Sequence, residues 1–269
     1  MSYVVVEMFN LEFSCMPSRL FKSNLSQLYL TLVPVLTIVF GLGIGYVSYK
    51  VYVPIWLINV VLMGLSTWVL GAHVITIRNH ENKQMAACGL CFIIPTMLSS
   101  MFSGLGAPPF EDPKAWVSSG TEQLTRYYFL LAMGLLIAFG STILREMLKK
   151  TRGNFYALLG LVAIQIATPI YLIDMSFWGF YITKLYRSMV ASSIEKMPDW
   201  FPPLRSQFFY INILVAALVY MATAAFAMSL KKADWFKPIA CNVYICISLL
   251  LLLFDILPPT LPEPLGTLN

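Results

Sequence analysis

Residues 208–230 read FFYINILVAALVYMATAAFAMSL and contain no Asp, Glu, Lys or Arg. A helix needs roughly 20 mostly apolar residues to cross the hydrocarbon core of a bilayer, and this stretch has that length. Lipid offers the backbone no hydrogen bonds, so a segment of this kind satisfies its own polar groups as a helix. The stretch therefore predicts a transmembrane helix.

The composition of the whole chain agrees with this prediction. Of its 269 residues, 58% are hydrophobic and 12% are charged, whereas soluble domains have about 25% charged residues. A folded core of this size could not bury so much apolar surface and keep a polar shell. The composition indicates an integral membrane protein surrounded by the lipid bilayer, and it excludes disordered, collagen-like and disulfide-stapled chains. The net charge of +5 is typical of basic loops in a membrane protein and does not indicate a nucleic-acid partner.

Seven stretches reach the length of a membrane span, which predicts an all-α protein built as a single bundle of seven transmembrane helices. These stretches are residues 28–47, 54–77, 85–105, 127–144, 155–174, 208–230 and 235–257. The chain then has three parts, which are an N-terminal segment on the membrane surface (1–26), the transmembrane domain (27–257) and a proline-rich tail (258–269).

One further helix is predicted at residues 182–197, after the fifth span. Its apolar positions recur at the spacing of one helical face, and they are Ile182, Leu185, Tyr186, Met189, Val190, Ile194 and Met197. Polar and charged residues occupy the opposite face. This pattern predicts an amphipathic helix that lies flat at the outer membrane surface, and the alternative is a lid over an outward pocket.

The distribution of basic residues predicts the orientation of the bundle. Eleven of the 18 lysines and arginines fall on one side of the seven spans and the other seven fall on the opposite side. Short loops rich in Lys and Arg mark the cytoplasmic side, and the stretch from Arg145 to Arg152 is the densest of them. We therefore predict that the N-terminus is inside and the C-terminus is outside, in a plasma membrane or a bacterial inner membrane.

The sequence offers few signatures of a cofactor or of catalysis. Its two histidines, His73 and His80, cannot form a zinc-binding HExxH pair or the ligand set of two haems or a dinuclear metal centre. Every lysine lies in a predicted loop or at a helix end, so none is placed to hold a covalently bound retinal. Walker, Rossmann and Gly-x-Ser-x-Gly patterns are also missing from the sequence. We therefore predict no cofactor and lean against an enzyme.

Polar residues inside spans are costly, and each one is a candidate for function. With the predicted topology, a group of them lies at a similar depth towards the outside, together with Ser99. This group forms a candidate polar cavity lined by Asn59, Arg126, Tyr171, Asp174, Asn212 and Asp255. The alternative is that both aspartates lie among the lipid headgroups, where a carboxylate needs no partner.

A second group lies towards the predicted cytoplasmic side and consists of His73, Cys88, Cys91 and Cys241, with Cys246 deeper. A histidine with thiolates could bind zinc. Buried cysteines, however, commonly pack as small apolar residues, and we favour that role.

Three classes of function stay open on these grounds. The first is permeation or transport of a small solute or an ion through the outward-facing cavity. The second is a sensor or structural subunit in a homo-oligomer or a larger membrane complex, and the third is an intramembrane enzyme. The cavity favours transport slightly.

Overall fold

The protein is described here by a computed structural model, which covers residues 22–30, 32–33, 49–76, 80–99, 112–193 and 197–256. Helices joined by short turns account for this part of the chain, and it contains no strand. The all-α prediction is therefore confirmed for the described residues. Residues 1–21 and 257–269, which include most of the predicted N-terminal segment and the whole predicted tail, lie outside them.

Nine helical segments follow one another in the longer described stretches. They are α1 (Tyr49–Thr76), α2 (His80–Ser99), α3 (Pro113–Ser118), α4 (Gly120–Leu148), α5 (Asn154–Ser176), a π-helical turn (Phe177–Tyr181), α6 (Ile182–Ala191), α7 (Phe201–Lys232) and α8 (Pro238–Ile256).

Five stretches of helix in the described part are long and apolar enough to cross a membrane. They lie in α1, α4, α5 with its continuation into α6, α7 and α8, and they match five of the seven predicted spans. The predicted span at 28–47 lies mostly outside the described residues, and the one at 85–105 is described only as far as Ser99, in α2. The chain is an all-α membrane protein, while the number seven and the orientation stay predictions.

The chain divides into two compact units, and each is described by itself. The first consists of Met1–Ala86 with Ser99–Gly106, and the second of Ala87–Leu98 with Ala107–Asn269. In the first unit, the hydroxyl of Tyr29 donates a hydrogen bond to the side-chain oxygen of Asn59 in α1.

In the second unit, α5 lies between α4 and α7, and α8 packs along α7. Small residues allow close contact between α5 and α7, since Gly160 of α5 faces Ala222 and Phe226 of α7. The turn that leads from α4 into α5 is fixed to α7, because the Ser229 hydroxyl donates a 2.8 Å hydrogen bond to the carbonyl oxygen of Gly153.

The amphipathic segment differs from its prediction as a separate helix. It is helical from Ile182 to Ala191 but continues α5 without a break, so that one helix of 38 residues runs from Asn154 to Ala191. At 1.5 Å per residue this helix is about 57 Å long, nearly twice the roughly 30 Å hydrocarbon core. The reason is local, because no proline separates Asp174 from Ile182 and a single π-helical turn accommodates the intervening aromatic residues.

The apolar face of α6 packs against protein. It contributes to a buried cluster that we call the cap cluster, formed by Trp116, Phe177, Ile182, Tyr186, Met189 and Phe201. Trp116 comes from the short helix α3, whose start is set by Pro113 at its first position and by Asp112, whose carboxylate accepts the Ala115 N–H at 3.0 Å. The apolar positions identified in the sequence are thus the inner face of α6. We call α3 and α6 together the cap.

Candidate functional site

Helices α4 and α5 run antiparallel in a register that three glycines reveal. A methyl group added at Gly134 would lie 2.7 Å from the ring of Tyr171, and one added at Gly120 would lie 3.0 Å from the guanidinium of Arg187. Between these two levels, Gly179 lies directly against Tyr127. The glycines let the two helices approach closely, which brings their polar residues face to face.

These polar residues form a column between α4 and α5, which we call the polar column. On α4 they are spaced at i, i+3 and i+4, and on α5 at i, i+3 and i+7, so each set lies on one helical face. The polar column consists of Gln123, Arg126 and Tyr127 from α4, of Tyr171 and Asp174 from α5, and of Trp178 from the π-helical turn that follows α5.

Asp174 is the charged group at the centre of the polar column. Its side chain is fully buried, and the indole Nε1 of Trp178 donates a 2.8 Å hydrogen bond to its Oδ1. Its other oxygen, Oδ2, is also buried and accepts no hydrogen bond from the described residues. Trp178 therefore holds Oδ1 of the carboxylate, while Oδ2 can still accept a proton.

Two tyrosines stand between the opposite charges of the column. Tyr127 and Tyr171 both lie within electrostatic range of Arg126 and of Asp174. The hydroxyl of Tyr171 donates a 3.1 Å hydrogen bond to the carbonyl oxygen of Leu130, and the guanidinium carbon of Arg126 lies 5.6 Å from the centre of the Tyr127 ring. Arg126 and Asp174 thus belong to one polar group that Tyr127 and Tyr171 connect.

Gln123 is a second buried polar group with an oxygen that lacks a hydrogen-bond partner among the described residues. Its side chain is 1% exposed, and its Oε1 accepts no hydrogen bond from the described residues. The register of α4 against α5 places Gln123 level with Thr183, about 13 Å along the helix from Asp174. Buried oxygens of this kind are commonly bound by water.

The structure brings together three of the six residues of the predicted cavity, namely Arg126, Tyr171 and Asp174. Asp255, at the end of α8, lies within electrostatic range of Tyr220, and Asn212 is on the exposed face of α7. Asn59 belongs to the first unit. The side chain of Ser99 lies outside the described residues.

The grouped residues also differ from the open cavity that the sequence predicts. Asp174 and Tyr127 are buried, and the contacts at Gly134 and Gly179 leave the column closely packed. The predicted cavity did not include Gln123, Tyr127 and Trp178. Gln123 precedes Arg126 by three residues and Trp178 follows Asp174 by four, and this helical spacing is the signal that could have identified both. Tyr127 directly follows Arg126.

The predicted inner group shows ordinary packing where it is described. The thiol of Cys88 lies 3.6 Å from the carbonyl oxygen of Gly140, Cys91 packs against the same glycine, and Cys241 is buried. Within the described residues no three His, Cys, Asp or Glu side chains come together to hold a metal ion. The side chain of His73 is outside the described part.

Comparison with protein-family models, with curated proteins and with solved structures finds no match for this chain. Any functional conclusion therefore rests on the polar column and on the membrane-spanning helices around it.

Proposed function

We propose that this protein is a transport or permeation protein for a small solute or ion, and that Asp174 takes up and releases a proton during transport. One observation carries the proposal. The Asp174 carboxylate is fully buried in an apolar helix pair, yet its Oδ2 accepts no hydrogen bond from the described residues. A buried carboxylate of this kind is costly as a bare anion, and binding a proton at Oδ2 removes that cost.

The ligands available around Oδ2 favour a proton over a metal cation. Within the described residues no three His, Cys, Asp or Glu side chains come together to hold a metal ion, and Asp174 supplies the single carboxylate of the polar column. A hard cation such as Mg²⁺ or Ca²⁺ is bound by several oxygen ligands. A proton needs one oxygen and converts the carboxylate into a neutral acid, which removes the cost of a buried anion.

The polar column also supplies a direction for movement. Gln123 lies towards the cap cluster and Asp174 lies deeper in the helix pair, and each has a buried oxygen open to water. Water bound at each of these oxygens would provide one proton acceptor at the end of the column near the cap cluster and another beside the carboxylate.

Proton movement can be measured directly in proteoliposomes that contain the purified protein and the pH-sensitive dye pyranine. A K⁺ gradient with valinomycin drives protons across the membrane, and the rate of the pyranine signal reports their flux. We expect Asp174→Asn to slow this flux by about tenfold or more, since the variant lacks the group that carries the proton. Asparagine keeps an oxygen that can accept the Trp178 N–H, so the fold is preserved.

Asp234→Asn is the matched control for this experiment. Asp234 is an exposed aspartate in the turn after α7 with a φ of 56°, a conformation that asparagine also adopts readily. The proton flux measured with Asp234→Asn should equal that of the wild-type protein. Equal flux in Asp174→Asn and the wild type would contradict the proposal and favour a sensor or a partner-binding subunit instead.

The orientation is proposed from the Lys and Arg bias and is tested by cysteine labelling in intact cells. A membrane-impermeant maleimide should label a cysteine introduced at Ser192, at the end of α6, and should not label one introduced at Lys149, after α4. Both positions are exposed, and the wild-type protein gives the background of the native cysteines. Labelling at Lys149 alone would reverse the orientation and place the cap cluster on the cytoplasmic side.

A further inference from the structure

An open groove with a volume of about 470 Å³ lies at the beginning of α7. It is separate from the polar column, and its lining combines one charged side chain with hydroxyl, aromatic and apolar groups. The residues that line it include Met197, Pro202, Arg205, Ser206, Phe209 and Tyr210.

The groove lies where α7 enters the hydrocarbon region. From residue 206 to residue 230 the helix carries no charged side chain, and this length matches one membrane span. Arg205 is therefore the last charge before the span, and Phe209 and Tyr210 follow about one turn deeper, at the position of an aromatic belt. The groove thus extends from the headgroup layer to the upper hydrocarbon.

The chemistry of the lining is complementary to a phosphate. Arg205 is the charged side chain among the residues that line the groove. A guanidinium binds phosphate oxygens through two parallel hydrogen bonds, and Ser206 adds a hydroxyl donor beside it. Pro202 and Pro203 have no backbone N–H to donate at the start of α7, so the side chains and not the helix end provide the recognition.

We propose that this groove binds one anionic phospholipid. Its phosphate contacts Arg205 and Ser206, and its glycerol and upper acyl chains lie along Phe209 and Tyr210, which are 41% and 67% exposed. An anionic headgroup is favoured because Arg205 would repel the ammonium group of phosphatidylcholine. The lipid would then hold the beginning of α7 at a fixed depth in the bilayer.

Native mass spectrometry of the detergent-purified protein tests this proposal. Phosphatidylglycerol and phosphatidylcholine with the same acyl chains are titrated in turn, and the occupancy of the first bound lipid is measured. We expect saturable binding of one phosphatidylglycerol, and a loss of about tenfold in its affinity in Arg205→Gln, which removes charge-assisted hydrogen bonds. Arg205→Lys, which keeps the charge, should retain the preference for phosphatidylglycerol.

Lys232→Gln removes one positive charge from the other end of the same helix and serves as the control. Its phosphatidylglycerol affinity should equal that of the wild type. Three results would each overturn the proposal: equal affinity of the wild type for the two lipids, an unchanged affinity in Arg205→Gln, or the same loss in Lys232→Gln. The melting temperature of each variant without added lipid shows whether it is folded.

Discussion

Trp116→Ala is expected to destabilise the packing of α3 on α6 by about 3–5 kcal/mol, the usual cost of removing a buried tryptophan. Trp116 is fully buried in the cap cluster, and its ring centre lies 5.4 Å from that of Tyr186. Helix α3 has only six residues and cannot be stable alone, so its position depends on packing against the cap cluster, to which it contributes Trp116 as its buried residue. Its loss should release α3 while the long helices persist.

Limited proteolysis measures this release. Lys114 lies within α3 and is exposed, but trypsin can cut after it only when the helix opens. Because cleavage follows the population of the open form, a loss of about 3 kcal/mol should raise the cleavage rate at Lys114 roughly a hundredfold. Trp200→Ala is the control, since Trp200 is 46% exposed at the edge of the same cluster and should change the rate far less. Equal effects of the two variants would show that Trp116 does not hold the cap.

Gly179→Ala is expected to lower the stability of the helix pair by about 1–3 kcal/mol, as overpacking in a well-packed core does. A methyl group at Gly179 would overlap the Cβ and Cγ atoms of Tyr127, which lie next to the backbone of α4 and cannot rotate away. The two helices would have to separate, which would also disturb the polar column. The melting temperature of the detergent-solubilised protein gives the measurement.

Gly89→Ala provides the contrast within the same chain. Gly89 lies inside α2, and an added methyl group there meets nothing within 4 Å. Alanine is the better helix former by about 0.5–1 kcal/mol, so this variant should melt at the wild-type temperature or slightly above it. A loss of stability as large as that of Gly179→Ala would mean that contact with Tyr127 does not explain the effect at Gly179.

The membrane character and the spans themselves were predictable, because they follow from the length and composition of single segments. Residues 208–230, for example, lie within one long helix, α7. The partners of Asp174 were harder to predict, since they depend on how α4 is registered against α5. That register is set by contacts such as Gly179 with Tyr127, which involve residues about fifty positions apart and leave no pattern within either segment.

The packing of α3 on α6 could not be predicted for a related reason. An amphipathic stripe such as that of Ile182, Tyr186 and Met189 shows that a helix has an apolar face, but it does not say what covers this face. A membrane surface and a protein surface require the same spacing of apolar residues. The covering residue, Trp116, comes from a short segment whose own sequence carries only the start signal of Asp112 and Pro113.

Because the helix from Asn154 to Ala191 is continuous, α6 in the cap cluster and the buried carboxylate of Asp174 belong to one stiff helix. Its π-helical turn, Phe177–Tyr181, contains Trp178, whose indole is bonded to Asp174. A torque applied to α6 therefore reaches Asp174 through an unbroken backbone and through this side-chain hydrogen bond as well. The π-helical turn fixes the angle about the helix axis between the apolar face of α6 and the side chain of Asp174. Removing one residue from this turn would rotate that face by about 100° relative to the carboxylate.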